Sequence, residues 1–235
     1  MTIGIIGAMD EEIDLLKSRM THINKKEVAN VILYSGLLEN VNVVLLKSGI
    51  GKVNAALSTT IMHEMFSPRL IINAGSAGGL KKGLSVGDIV ISDEVTHHDV
   101  DATVFDYKLG QVPQMPENFK ADKALVKIVE SSIQALDLNC SIGLIATGDS
   151  FVGSNEQVSV ILKNFPEVLA AEMEAAAIAQ VCYQYNTPFV VIRALSDIAG
   201  KDSSISFDEF LVQAADNSAK VIIETIKKIK NKPAN

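Results

Sequence analysis

The sequence predicts an α/β fold, a three-layer sandwich in which a central, largely parallel mixed β-sheet is flanked by helices. Three observations carry this. Short β-rich apolar runs alternate with helical patterns along the chain. Runs such as Val43–Leu46 and Phe189–Ile192 show no polar alternation, as expected of strands covered on both faces. Several of these runs end in small residues followed by a polar one, and ligands of open α/β sheets bind beyond such strand ends.

The elements follow in order. Ile3–Ile6 reads as a strand and Glu11–Arg19 as the helix after it. Val41–Lys47 is a strand, followed by a helical pattern over Val53–Met65. Leu70–Ala74 and Asp88–Ser92 are strands, and Asp122–Leu136 is a helix. Ile142–Ala146 is a strand before a helix at Glu156–Lys163, and a helix at Glu174–Tyr185 precedes the strand Phe189–Ala194. The last helix runs from about Phe207 to Lys230, with Leu211, Ala214, Ala215, Ile222, Ile226 and Ile229 close to one apolar stripe that also takes in Ser218. Lys227, Lys228, Lys230 and Lys232 suit its solvated face and last turn, where cations complement the helix dipole. The irregular stretch from His97 to Phe119 reads as a long ordered loop, a functional segment or an interface. No Gly/Ser-rich linker divides the chain, so residues 1–235 are expected to form a single domain.

Composition narrows the function. With 21 basic and 28 acidic residues the formal net charge is −7, and no basic cluster offers a footprint for nucleic acid or an anionic membrane. The two cysteines, Cys140 and Cys182, supply neither a disulfide framework nor a four-ligand zinc site. No signal-peptide pattern and no membrane-spanning run is evident, so a soluble, cytoplasmic protein is expected. His97-His98-Asp99 superficially resembles a metal-ligand run, but no His-Glu-x-x-His is present and no histidine follows His98.

The polar residues gather at predicted strand ends. Gly4-Ile5-Ile6-Gly7 lacks the third glycine of a dinucleotide fingerprint, and a tight turn accounts for it. Gly75-Ser76-Ala77-Gly78-Gly79 reads either as a backbone cradle for a neutral or weakly charged group or as a plain turn, since no Lys or Arg stands within it. In Glu172-Met173-Glu174 one carboxylate suits the cap of the following helix and the other could face the rim. Arg193 and Asp197, with Ser196, bracket the end of a strongly apolar strand, where charges are rare unless paired or functional. Met9, Phe151, Met173 and Phe207 adjoin these loops and suit an apolar ligand pocket.

Together the stretches GIIGAMDEE (4–12), KSGIGKVNAA (47–56), INAGSAGGL (72–80), VGDIVISDE (86–94), TGDSF (147–151), AEMEAAAIAQVC (171–182), PFVVIRALSDIAG (188–200) and SFDEF (206–210) resemble the 5′-methylthioadenosine/S-adenosylhomocysteine nucleosidases of the purine nucleoside phosphorylase-like superfamily. They span nearly the whole chain in the family's order. The resemblance implies hydrolysis of the bond between adenine and a 5′-thio-substituted ribose, as in methionine salvage, with no cofactor or metal. Glu12 then corresponds to the base that activates water, Asp197 to the acid that protonates purine N7, and Glu174 to the residue that holds the ribose hydroxyls. Ser76 and Arg193 are implied around the water and Glu12, with Ala77, Gly78 and Ser196 beside them in the substrate site. Val152 is implied at the adenine-reading backbone, Phe151 on the purine and Met173 under the ribose. Met9, Ile50 and Phe207 are implied around the thioalkyl tail. The family also implies a homodimer in which the 97–113 loop reaches the partner's pocket through Phe105 and Pro113. Here the sequence departs from the family's frequent TAFGY pattern, reading Thr103-Val104-Phe105-Asp106-Tyr107. A nucleosidase acting on aminodeoxyfutalosine and a nucleoside-binding protein without catalysis are the alternatives, and a phosphorylase lacks a cation for phosphate.

Overall fold

The computed structural model describes residues 2–199 and 203–231. Its elements are β1 (Thr2–Gly7), α1 (Asp10–Arg19), β2 (Thr21–Val28), β3 (Val31–Leu38), β4 (Val41–Lys47), α2 (Lys52–Phe66), β5 (Leu70–Gly79), β6 (Ile89–His97), a 3₁₀ turn (Thr103–Phe105), β7 (Phe119–Lys120), α3 (Lys123–Gln134), β8 (Cys140–Thr147), α4 (Asn155–Asn164), β9 (Val168–Glu172), α5 (Ala175–Gln184), β10 (Phe189–Ile198) and α6 (Ser203–Asn231). Lys232 and Gly200 lie outside the described residues.

The fold is α/β with one mixed sheet, but the expected open, largely parallel layer of a sandwich is corrected. Strands β4, β1 and β5 run parallel, in keeping with their largely apolar runs covered on both faces. Beyond them the sheet closes on itself: β5 pairs with both β9 and β10, and β10, β6, β8 and β9 complete a ring back to β5. The physical reason lies in β5. Its first half pairs with β1 through Asn73, and its second half, Gly78 and Gly79, is taken up by antiparallel β9. The Gly75–Gly79 segment is therefore strand, neither free turn nor loop. Strand β10 likewise continues past Ala194 to Ile198, with a register shift between Leu195 and Asp197. Such an irregularity re-aims side chains at the end of a strand.

The other additions are β2 and β3, which extend β4 as an antiparallel meander. Each connection is a two-residue turn with both residues at positive φ, Ala29-Asn30 at 50° and 63° and Glu39-Asn40 at 51° and 61°. That backbone matches the twist of a hairpin, and asparagine tolerates it. The strand β2 is exposed along its whole length. The core fills from Ile3, Ile5 and Ile6 of β1, Val43–Leu46 of β4 and Val190–Ile192 of β10, all buried. Helix α6 packs on β10 and β5 and meets α1 and α3, while α2 packs against α5. Among the described residues no helix is long and apolar enough to cross a membrane.

Candidate active site

The C-terminal ends of β1, β5 and β10, the end of β9 and the starts of α1 and α2 surround one cavity of about 310 Å3. This lies near the small end of ligand pockets, about 300–1,000 Å3. Glu12, in the first turn of α1, is buried on one wall. Its Oε2 accepts from the backbone N–H groups of Ala8 at 2.6 Å and Met9 at 3.3 Å. Its Oε1 accepts from the N–H of Ser76 at 2.9 Å and the Ser76 hydroxyl at 3.1 Å. Four donors therefore converge on one carboxylate, about as many as its lone pairs accommodate.

A second group of charges is built around Arg193, which is 2 % exposed. Its Nη2 donates to Asn73 Oδ1 at 2.8 Å and to Glu172 Oε2, and lies 3.8 Å from Glu174 Oε2. Gly75 has no side chain because none fits: a Cβ there would stand 2.7 Å from both Arg193 Nη1 and Glu12 Oε1. Arg193 was expected beside Glu12. It is near it, yet its ion pairs go to Glu172 and Glu174, and it does not itself line the cavity.

Glu172 caps α5, accepting from the N–H groups of Glu174 at 3.0 Å and Ala175 at 2.8 Å, and takes the Thr147 hydroxyl on its other oxygen. Of the two carboxylates of Glu172-Met173-Glu174, this one is the helix cap. It also lines the cavity, a part the sequence reading left out. Glu174 turns into the cavity and accepts one backbone donor, the N–H of Gly51, at 2.9 Å. Burial and the negative charge of Glu172 push its pKa up to about 8, against the pull of Arg193 and of that N–H. Asn73, whose side-chain amide also donates to the Ile6 carbonyl at 3.0 Å, was a readable signal: a buried amide in the apolar run Leu70–Ala74 requires partners.

Asp197 closes the other wall. Burial raises its pKa, opposed by the Ser196 hydroxyl, which donates to Oδ1 at 3.0 Å. A Cβ on Gly78 would stand 3.1 Å from Asp197 Oδ2. Glu12 and Asp197 thus meet β5 at Gly75 and Gly78, three residues or about 10 Å apart along the strand.

Sequences and structures of other proteins fit this geometry. The model of the Phosphorylase superfamily matches residues 2–227. A 5′-methylthioadenosine/S-adenosylhomocysteine nucleosidase of Oceanobacillus iheyensis is 60% identical over 229 residues, which cover 97% of this chain and all of that protein. The chain belongs to this nucleosidase family. The crystal structure of the Neisseria meningitidis nucleosidase with methylthio-immucillin-A superposes with a TM-score of 0.95 at 50% identity, covering 97% of this chain and 99% of that one. The Colwellia psychrerythraea nucleosidase, solved with adenine, gives a TM-score of 0.97 at 45% identity, covering 100% and 98%.

Most residues that the nucleosidase resemblance singled out meet in the cavity. Ser76, Ala77 and Gly78 line it from β5, and Ser196 from β10. Met173 lies beside the carboxylates, and Met9 and Ile50 come from the segments ahead of α1 and α2. Phe151 and Val152 enter from the segment after β8, with the Phe151 ring edge-on to Phe207 at 5.9 Å between centroids. Phe105 and Pro113 are not brought to the cavity of their own chain; both are exposed.

Proposed function

We propose that this protein hydrolyses the N-glycosidic bond of 5′-methylthioadenosine and S-adenosylhomocysteine. The products are adenine and 5-methylthioribose or S-ribosylhomocysteine. One observation supports this above the others: two buried carboxyl groups face one cavity from separate walls in different surroundings, Glu12 with four donors and Asp197 with the Ser196 hydroxyl and its pKa raised. A base and an acid with separated proton affinities are what the reaction needs.

In this reading Glu12 takes a proton from the attacking water as its oxygen bonds to the anomeric carbon. The bond from that carbon to purine N9 breaks, its electron pair passes into the purine, and Asp197 delivers a proton to N7. Adenine leaves neutral. Glu174 holds the ribose hydroxyls, and a cationic sugar beside it favours its ionised form. Arg193, bound to Asn73 and Glu172, is the counter-charge that keeps this group of carboxylates in place. Ser76 helps orient the water. Met173 supports the ribose, Phe151 and the Val152 backbone hold the purine, and Met9, Ile50 and Phe207 receive the thioalkyl tail.

The chain then acts as a single domain in the cytoplasm, serving methionine salvage, and as a homodimer. Val53, Val104 and Phe105 are 77%, 83% and 73% exposed, which suits burial against a second copy. Phe105 and Pro113 of the 97–113 loop would reach the partner's cavity.

The test is product analysis of purified protein with each thio-nucleoside, without phosphate. Free adenine and free thioribose are expected. A strict phosphate requirement with a ribose 1-phosphate product would replace hydrolysis by phosphorolysis. No product from either substrate, with adenosine still bound, would favour a binding protein or a different 5′ group such as that of aminodeoxyfutalosine.

A further inference from the structure

Outside the cavity, two segments that bound it, those before α2 and after β8, are joined to the segment after β6 by a closed ring of charged groups. The backbone N–H of Lys52 donates to Asp149 Oδ1 at 2.7 Å. The N–H of Asp149 donates to Asp99 Oδ2 at 2.9 Å. The Lys52 ammonium completes the ring on Asp99 Oδ1 at 2.6 Å. Lys52 opens α2, Asp99 follows β6 and Asp149 follows β8. None of the three lines the cavity.

The ring lies one peptide away from Glu174. Helix α2 has no capping side chain of its own and no acidic residue in its first turn. Its first N–H groups would be without partners unless another element supplied them. Glu174 takes the N–H of Gly51 and Asp149 takes the next one, that of Lys52. Gly51 holds φ at +93°, and a Cβ there would stand 3.1 Å from Asp149 Oδ1. The peptide that grips Glu174 is therefore packed directly against the Asp149 carboxylate. That N–H is the single backbone donor described on Glu174.

We propose that Asp149 is a positioning residue for Glu174: braced by Asp99 and Lys52, it fixes the Gly51 peptide whose N–H orients the Glu174 carboxyl. The inference rests on the nucleosidase reading. Asp99 and Asp149 are both solvent-accessible, and exposed ion pairs contribute little to stability. A displacement of about 1 Å at a reacting group can nevertheless cost on the order of a hundredfold in rate. The effect on turnover should thus far exceed the effect on folding.

The experiment compares Asp149→Ala, Asp149→Asn and Asp99→Ala, each with and without Glu174→Ala, in the full chain. Adenine release from methylthioadenosine is measured for kcat and KM, and urea unfolding for stability. Asp149→Ala should lower kcat on the order of ten- to a hundredfold with a much smaller change in KM. Asp149→Asn should recover most of the loss, because its amide oxygen still accepts the Lys52 N–H. In the Glu174→Ala background, where nothing is left to accept the Gly51 N–H, Asp149→Ala should cost little more, since it acts through Glu174. If Asp149→Ala does not fold, Asp99→Ala carries the same comparison. An active wild type with unchanged variants, or equal losses in both backgrounds, overturns the inference alone. A wild type that releases no adenine overturns the nucleosidase reading and this inference with it.

Discussion

The start of α1 and the start of α5 each bring a buried glutamate to the same cavity, and they treat it differently. At α1, Glu12 receives four hydrogen bonds, three of them from backbone N–H groups. At α5 the backbone donors go to Glu172, and Glu174 is left with the Gly51 N–H, a neighbouring carboxylate and a shared arginine. Glu174 is the group whose pKa is pushed up to about 8. Depth of burial does not separate them, since Glu12 is 5% exposed and Glu174 7%. Donors and neighbouring charge do. Two glutamates at equal depth are thus held differently, Glu12 by four hydrogen bonds and Glu174 by one backbone donor with its pKa raised.

The largest expected effect breaks the Glu12 side. Glu12→Gln should lower kcat/KM by about a thousandfold in adenine-release assays, the scale of a lost general base. Retention of more than a tenth of the activity would remove Glu12 from that role. Gly75→Ala should come next, because its methyl group would press on Glu12 and Arg193 together. A loss of about a hundredfold in kcat is expected, and unchanged kinetics would mean that the two side chains can part freely.

Stability distinguishes the two glutamates more sharply than activity. Both oxygens of Glu12 face donors, so an amide placed there points its NH2 group at an N–H whichever way it is flipped. Glu12→Gln should cost about 1–3 kcal/mol in urea unfolding, the range for a buried polar group without a partner. Glu174→Gln imitates a protonated carboxyl and should cost less near pH 7. Equal costs would dissolve the comparison.

How much of this was legible depended on what each segment encodes locally. Strands β1, β4 and β10 announced themselves through the runs Ile3–Ile6, Val43–Leu46 and Phe189–Ile192, which are covered on both faces and hold no polar residue. The carboxylates of the site were legible through family motifs and through charges standing beside apolar runs. Strand β2 was not, since THINKKEV is exposed throughout and its place is set by pairing with β3. Asn30 and Asn40, the second residues of the two hairpin turns, were the available signal. Ring closure was hidden for another reason: β5 changes partner midway, and no local pattern records which strand lies beside Gly78. The division of labour between Glu172 and Glu174 also needed coordinates, because both sit at the same helix start and only the direction of each side chain tells cap from cavity.

The pH dependence of stability sharpens the comparison most. The pKa of Glu174 in the folded protein is raised from the ordinary 4.5 to about 8. Between those values the folded chain holds a proton that the unfolded chain has released. Stability from this group is therefore fully present below about pH 4.5 and is lost as the pH rises towards 8. Asp197, also raised, contributes with the same sign from its own ordinary value upward. Asp99 is lowered, burial opposing and the Lys52 ammonium and Asp149 N–H prevailing, so its contribution is lost only in stronger acid, below this window. Urea unfolding at pH 5, 6.5 and 8 should show wild-type stability declining with pH. In Glu174→Gln the decline should be visibly shallower, while Glu172→Gln should reduce it indirectly by removing the like charge beside Glu174. A Glu174→Gln variant that declines as steeply as wild type would mean that Glu174 is already ionised near neutrality, and the contrast with Glu12 would then rest on hydrogen bonds alone.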